Sequence, residues 1–538
     1  MHNLTINLGL RWETESSPRD RNNRLTAGFC TTCVNPVTNQ LDYSGAAASL
    51  SNPILGGLQF ANGNFTAYQN YWGSLLPKVG VSYALGDKLV VRGGWGLSSA
   101  LGVELGAQST WQETTGYTAS LNGGLTPSGY FGTGNPYPNG FTAPPGNSQG
   151  LESGIGNGVQ YDQRDRKIPR VQSYSFGFQG AGPFQSVWDL EYVGAHTTRL
   201  RSTIQLNSIT PAEFADAHVN PGKYNAQVPN PFYGIAGPAT TLGSSQTISA
   251  VRLLVPFPEF DYVADYADPQ GYSNYNSLQA KFEKRLTNSN VLMKGLSVLA
   301  SFTWSKMMTA TDRLNDSQDS LVDVNPTYHI DPYDRGWDFS FSGLYTLPIG
   351  KGGLLASNAH GLLGQALDNW QLDWIFQNDG GQPIGYPNSY VYNCGGPYNI
   401  RPAHKTFYSY LNNADNYNAY TNGTQPNCFT PLAQYTAITA MPDTGVVRTP
   451  WAQQTSLGVE KRFNITNDIK LQFKAEAFNL TNTPIFGGPN TGNVTDPLTR
   501  NNNVADPNAP GAWSGYGTVG ANQQNSPRQI QLSLKVLF

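Results

Sequence analysis

Hydrophobic and polar residues alternate one for one over twelve separate segments of this chain. The last, 528–538 (RQIQLSLKVLF), is the clearest: as a strand it puts Ile530, Leu532, Leu534, Val536 and Phe538 on one face, and Gln529, Gln531, Ser533, Lys535 and Leu537 on the other. In 4–13, Leu4, Ile6, Leu8, Leu10 and Trp12 oppose Thr5, Asn7, Arg11 and Glu13. The same pattern occupies 77–86, 88–98, 170–180, 185–195, 274–286, 295–306, 338–348, 369–379, 453–463 and 468–480. These lengths are close to the roughly 9–11 residues with which a tilted strand crosses a bilayer.

The connections alternate strictly in length. Short ones lie near 86–88, 180–184, 287–294, 349–368 and 464–467, whereas 16–76, 99–169, 196–273, 307–337, 380–452 and 481–527 are long. Long loops on one side and short turns on the other predict an all-β fold, a transmembrane antiparallel β-barrel of about twelve strands with long extracellular loops. In a water-soluble domain, structureless loops beyond about 15 residues would argue against the assignment. The parity puts both termini on the short-turn, periplasmic side. Strand charges fall on the polar face, as they should, because a lysine or arginine facing lipid at the midplane costs about 2–4 kcal/mol. Lys461 is the exception, and its place two residues from a strand end predicts that its stem snorkels to the interface.

Composition agrees. Charged residues are 13% of the 538, about half the roughly 25% usual in soluble domains. The net charge of −3 gives no basic surface for nucleic acid. Mean hydropathy is −0.39, and the sequence contains no apolar run long enough for a membrane helix, as half-apolar strands require. Met1 and His2 lead directly into the first alternating segment without a secretion signal, so the expectation is a chain lacking its natural N-terminus.

Candidate chemistry is sparse. His2, His196, His218, His329, His360 and His404 form no metal or catalytic motif, so no catalytic residue and no cofactor is expected. Asp312, Asp316, Asp319, Asp323, Asp331, Asp334 and Asp338 make an acidic stretch suited either to calcium or to a solvated surface loop. Aromatic, asparagine-rich loops at 386–398 and 408–420 suit stacking on sugars or peptides, and equally suit a plain surface loop. Trp12, Trp95, Trp188, Trp304, Trp370 and Trp374 read as interface girdles. The cysteines fall as two local pairs, Cys30 with Cys33 and Cys394 with Cys428. Disulfides between nearest neighbours lead the zinc and free-thiol readings, and imply an oxidising compartment.

Five stretches resemble the barrel of TonB-dependent outer-membrane receptors of the Oar-like, acidobacterial type: LTINLGLRWE at 4–13, DPYDRGWDFSFSGLYTLPIGKG at 331–352, NWQLDWIFQNDGGQPI at 369–384, KAEAFNLTNTPIFGGPN at 474–490 and SPRQIQLSLKVLF at 526–538. The resemblance implies that residues 1–538 are the C-terminal part of a barrel of about 22 strands, whose plug and first strands lie upstream. It implies Phe538 as an assembly signal, and as partners the outer-membrane lipid, the barrel assembly machinery and, through the upstream region alone, the TonB complex. The expected function is transport of a large nutrient such as an oligosaccharide, peptide or metal chelate. A self-contained twelve-strand porin or surface adhesion protein is the alternative, and a secreted carbohydrate-binding protein a third.

Non-reducing peptide mapping is expected to recover Cys30 linked to Cys33 and Cys394 linked to Cys428. A peptide joining Cys30 to Cys394 would contradict the nearest-neighbour pairing.

Overall fold

The computed structural model describes the chain apart from residues 1–2, 101–113, 130–134, 139, 238–239, 287–291, 314–324, 386–389, 393–405, 407–409, 411–428, 439–446, 467, 492–498, 507–508 and 510. All twelve alternating segments are strands: β1 Leu4–Glu15, β2 Tyr71–Leu85, β3 Leu89–Ser99, β4 Arg170–Ala181, β5 Ser186–Gln205, β6 Val263–Lys284, β7 Leu296–Ala310, β8 Trp337–Thr346, β9 Trp370–Asp379, β10 Ala452–Asn464, β11 Lys470–Phe478 and β12 Gln529–Leu537. Each pairs antiparallel with the next, so sequence order is spatial order. Among the described residues β1 and β12 do not pair with each other, and the sheet keeps two open edges.

Register keeps the apolar residues together. Leu8 lies opposite Val79, Val79 opposite Trp95, and Trp95 opposite Tyr174. The outward face is bare, with Leu8, Leu10, Trp304 and Ile530 all more than half exposed; in water such a face would be untenable, and in lipid it is solvated. Where an aromatic ring crosses to the next strand, that strand has glycine: a Cβ on Gly194 would come within 2.2 Å of the Tyr174 ring, and one on Gly343 within 2.5 Å of Trp374.

Lys461 does not snorkel. It is buried at 2% exposure, and its Nζ donates to the carbonyls of Gln365 and Asp368, at the C-terminal end of a short helix, Gly361–Leu367, in the β8–β9 connection. The helix carbonyls take the place of interfacial water. A second lysine of lipid-facing parity, Lys284, does the same and was not singled out in the sequence: its Nζ donates to Leu296 O at 2.8 Å and Met293 O at 3.1 Å.

Four strands run well past the alternating segments. β5 extends ten residues beyond 195 to Gln205, and β6 begins at Val263 instead of 274, with irregular register at Asp265, Asp268 and Gly271; β2 begins at Tyr71 and β7 ends at Ala310. Above the membrane both faces of β6 are covered, Val263, Ala264, Asp265, Ala267 and Asp268 all being buried. Period-two alternation therefore has no reason to persist there.

What covers them is the molecule's packed core. Among the described residues the long loops hold four apolar clusters, centred on Val37, Ile54 and Phe232; on Leu58, Phe257 and Phe260; on Ile209, Phe214 and Tyr435; and on Leu25 and Ala67. Helix α1, Pro211–Val219, enters through a capping box of Thr210 and Glu213 and buries Phe214 and Ala217 in this cap. The Cys30–Cys33 disulfide lies in the first loop, next to the hydrogen bond from Gly56 N to Cys33 O. Cys394 and Cys428 lie outside the described residues.

The cap also buries a carboxyl group. Glu259 is 0% exposed, and neither oxygen has a hydrogen-bond partner among the described residues. Burial pushes its pKa up to about 8, with the nearby Arg252 charge offsetting a part. A raised carboxyl pKa means that the folded cap holds its proton more tightly than the unfolded chain. The contribution of this group to cap stability is therefore fully present at and below about pH 4.5 and is lost as pH rises towards 8, by about 1.4 kcal/mol per pH unit at most. Glu259→Gln is expected to remove most of this dependence: limited proteolysis of the cap at pH 8 should be slower in the variant and about equal to the native chain at pH 5. On the strands, in a barrel assembled with its upstream strands, Leu278→Arg should lower unfolding stability in lipid vesicles by about 2–4 kcal/mol, while Gln279→Arg on the opposite face should change it little.

Candidate functional site

The inward face of the sheet is a field of polar side chains, organised by glycine. Arg92 on β3, Gly177 on β4 and Glu191 on β5 lie side by side in register. Because Gly177 has no side chain, the Arg92 guanidinium reaches over it, donating to Asp189 at 2.5 Å and Glu191 at 3.2 Å. A Cβ on Gly177 would stand 2.9 Å from the Glu191 Cβ. The device recurs at Asp373, Gly458 and Glu476 on β9, β10 and β11, where Lys474, bound to its strand neighbour Glu476 at 2.8 Å, reaches Asp373 across the gap at 3.4 Å. Lys281 and Arg285 flank Glu283, and Arg462 meets Glu460 at 2.6 Å. The result is a charged but locally neutralised wall, compatible with water and polar solutes.

At the loop end, arginines tie the cap to the strands. Arg166 binds Glu15 at 2.6 Å and lies over the Tyr68 ring at 3.9 Å, and Arg201 binds Asp162 at 2.9 Å. Arg313, nearly fully buried, binds Asp268 at 2.5 Å. Buried pairs of this kind contribute little net stability over apolar packing, but removing one partner strands a charge, so they fix the cap's position. The cap carries a cleft of about 640 Å³ between the loops before β6 and the loop before β10. Its walls combine Ile209, Ile248 and Val255 with Asn207, Gln227 and Gln434, the Tyr435 ring, and Arg252 beside Asp261. Such a surface accepts a mostly neutral, hydrogen-bonding ligand with an apolar side.

The structure disperses most of the residues that the sequence singled out. Phe538 ends the chain fully exposed, just past β12. Of the acidic stretch, Asp316, Asp319 and Asp323 lie outside the described residues. Asp334 is committed to Arg448 at 2.5 Å and to the Met307 amide at 2.6 Å, and Asp331 to the Tyr333 amide. Asp312 faces His329 at 3.8 Å, and its carboxylate, favouring the protonated ring, raises the imidazole pKa. Among the described residues no group of three or more His, Cys, Asp and Glu side chains could hold a metal ion. The aromatic loops 386–398 and 408–420 fall largely outside the described residues. Trp12 stands near the loop end of β1, Trp304 faces Trp337 at the loop end of the β7–β8 ladder, and Trp188 and Trp370 stand at the turn ends; Trp374 sits mid-strand against Phe341. The cap cleft and the glycine-bridged ion pairs were not singled out in the sequence. The second had a signal there, an arginine, a glycine and a glutamate on three successive strands, but it is visible only once the register is known.

No curated protein matches the chain. Solved structures with a related arrangement include the ferripyoverdine receptor of the outer membrane of Pseudomonas aeruginosa, 11% identical, with 90% of this chain covering 35% of that one at a TM-score of 0.33. Another is the ferric-catecholate import receptor Fiu from E. coli K12, 10% identical, 100% of this chain covering 42% of that one at a TM-score of 0.36. The ferric citrate transporter FecA is 9% identical, 90% covering 39% at a TM-score of 0.32. The chain thus spans well under half the length of each of these proteins. The family model for the outer membrane beta barrel domain matches residues 1–531. With lipid-facing strands, short turns below and a loop cap above, this chain of the bacterial outer membrane belongs to the outer membrane β-barrel domain family.

Proposed function

We propose that the chain is the C-terminal portion of the barrel of a TonB-dependent, Oar-like transport receptor, and that the complete barrel admits a large polar nutrient. The observation that carries this reading is the pair of open edges. β1 and β12 both show the lipid-facing alternation, yet among the described residues each has a neighbour on one side only. In hydrocarbon, every backbone N–H and C=O needs a partner, and on this reading strands upstream of the chain supply it. A wall of about 22 strands encloses a lumen wide enough to need a plug, and energy coupling through TonB acts on that plug. The glycine-bridged ion pairs suit the wetted lining of such a lumen. The cap cleft supports an oligosaccharide or peptide above a strongly charged solute, because amides, hydroxyls and one tyrosine dominate its walls.

The test adds a signal peptide to the 538 residues and follows insertion by heat-modifiable mobility, with a Phe538 deletion as the control for assembly. The expected outcome is aggregation or failed insertion of the chain alone, and recovery when the upstream strands are supplied. Stable monomeric insertion with ion-conducting pores would instead favour a self-contained twelve-strand porin, which antiparallel closure of β1 on β12 would produce.

A further inference from the structure

The β8–β9 connection differs from the other short turns. It carries four exposed leucines, Leu354 at 56%, Leu355 at 61%, Leu362 at 88% and Leu363 at 63%. Two of them stand on helix Gly361–Leu367, which packs on the outside of the sheet, not under its lumen. Its position is fixed by two side chains of lipid-facing parity. The Trp370 indole N–H donates to Ala366 O at 2.9 Å, and Lys461 Nζ donates to Gln365 O and Asp368 O while lying 5.5 Å from the Trp370 ring centre and 5.0 Å from that of Phe463.

From this placement we infer that helix Gly361–Leu367 is a lipid-bearing element: Lys461 pins its C-terminal carbonyls to the barrel wall, and Leu362 and Leu363 enter the periplasmic leaflet of phospholipid. The occupant follows from continuity. The helix rests on Trp370 and Phe463, which belong to the same outward apolar belt that the strands already present to lipid, and it stands at the level of their turn ends, where interfacial segments lie. Lys461 accounts for the cost of the arrangement. A cation on that face is tolerated because the last helix carbonyls, the negative end of the helix dipole, and two ring faces replace its hydration. The inference rests on the outer-membrane fold and not on what the barrel transports.

A photo-crosslinking series in outer membranes, on the barrel assembled with its upstream strands supplied, tests it. p-Benzoylphenylalanine replaces Leu362, Leu363 or, as a control in the β10–β11 turn, Asp468. Phospholipid adducts are expected at Leu362 and Leu363, at least several-fold above Asp468. Lys461→Met, combined with the probe at Leu363, should reduce the lipid adduct several-fold while heat-modifiable mobility shows the barrel still inserted. Adducts to protein alone, or a lipid yield no greater than at Asp468, would overturn lipid as the occupant. An undiminished yield in Lys461→Met would overturn the lysine as the pin.

Discussion

A backbone amide in hydrocarbon has no water to turn to, and this sets the architecture of the chain. An unsatisfied N–H or C=O in that medium costs several kcal/mol, so each membrane strand must find its partner laterally. The twelve-strand meander is the simplest way for one chain to do this, since each strand pairs with its sequence neighbour through a turn or a loop. Among the described residues, closing these contacts leaves the outer edges of β1 and β12 unpaired.

The side chains obey the same scarcity of water. On the concave face charges pair across glycine gaps, as Arg92 does over Gly177 and Lys474 beside Gly458. On the convex face, Lys284 and Lys461 are surrounded by carbonyls from the turns that follow or overlie them. In both places protein groups replace hydration. The two lysines show that a charge of lipid-facing parity need not sit in lipid, provided that a connection folds back over it.

Above the membrane the constraint relaxes and the chain behaves as a soluble protein. The loops collapse around Phe232, Phe257, Phe260 and Phe214, and the extended ends of β5 and β6 become part of that core. Arg166, Arg201 and Arg313 join the cap to the strands through carboxylates. Glu259 is the cap's weak point, a carboxyl group held neutral by its surroundings.

The alternation of residues such as Leu278, Ala280 and Phe282 with Gln279, Lys281 and Glu283 determined the strands, their faces and the side on which the turns lie, because lipid and water on opposite faces impose a period of two. It held for all twelve segments, with strand ends shifting only where the membrane stops. Tertiary structure alone decided the rest. The upper half of β6 is buried on both faces and so carries no period, and the loop clusters join residues as distant as Val37 and Phe232, which no local pattern connects. The cap cleft arises from such contacts. Lys461 read as a residue reaching for interfacial water, because sequence specifies parity along a strand but not which later or earlier turn will come to lie over it.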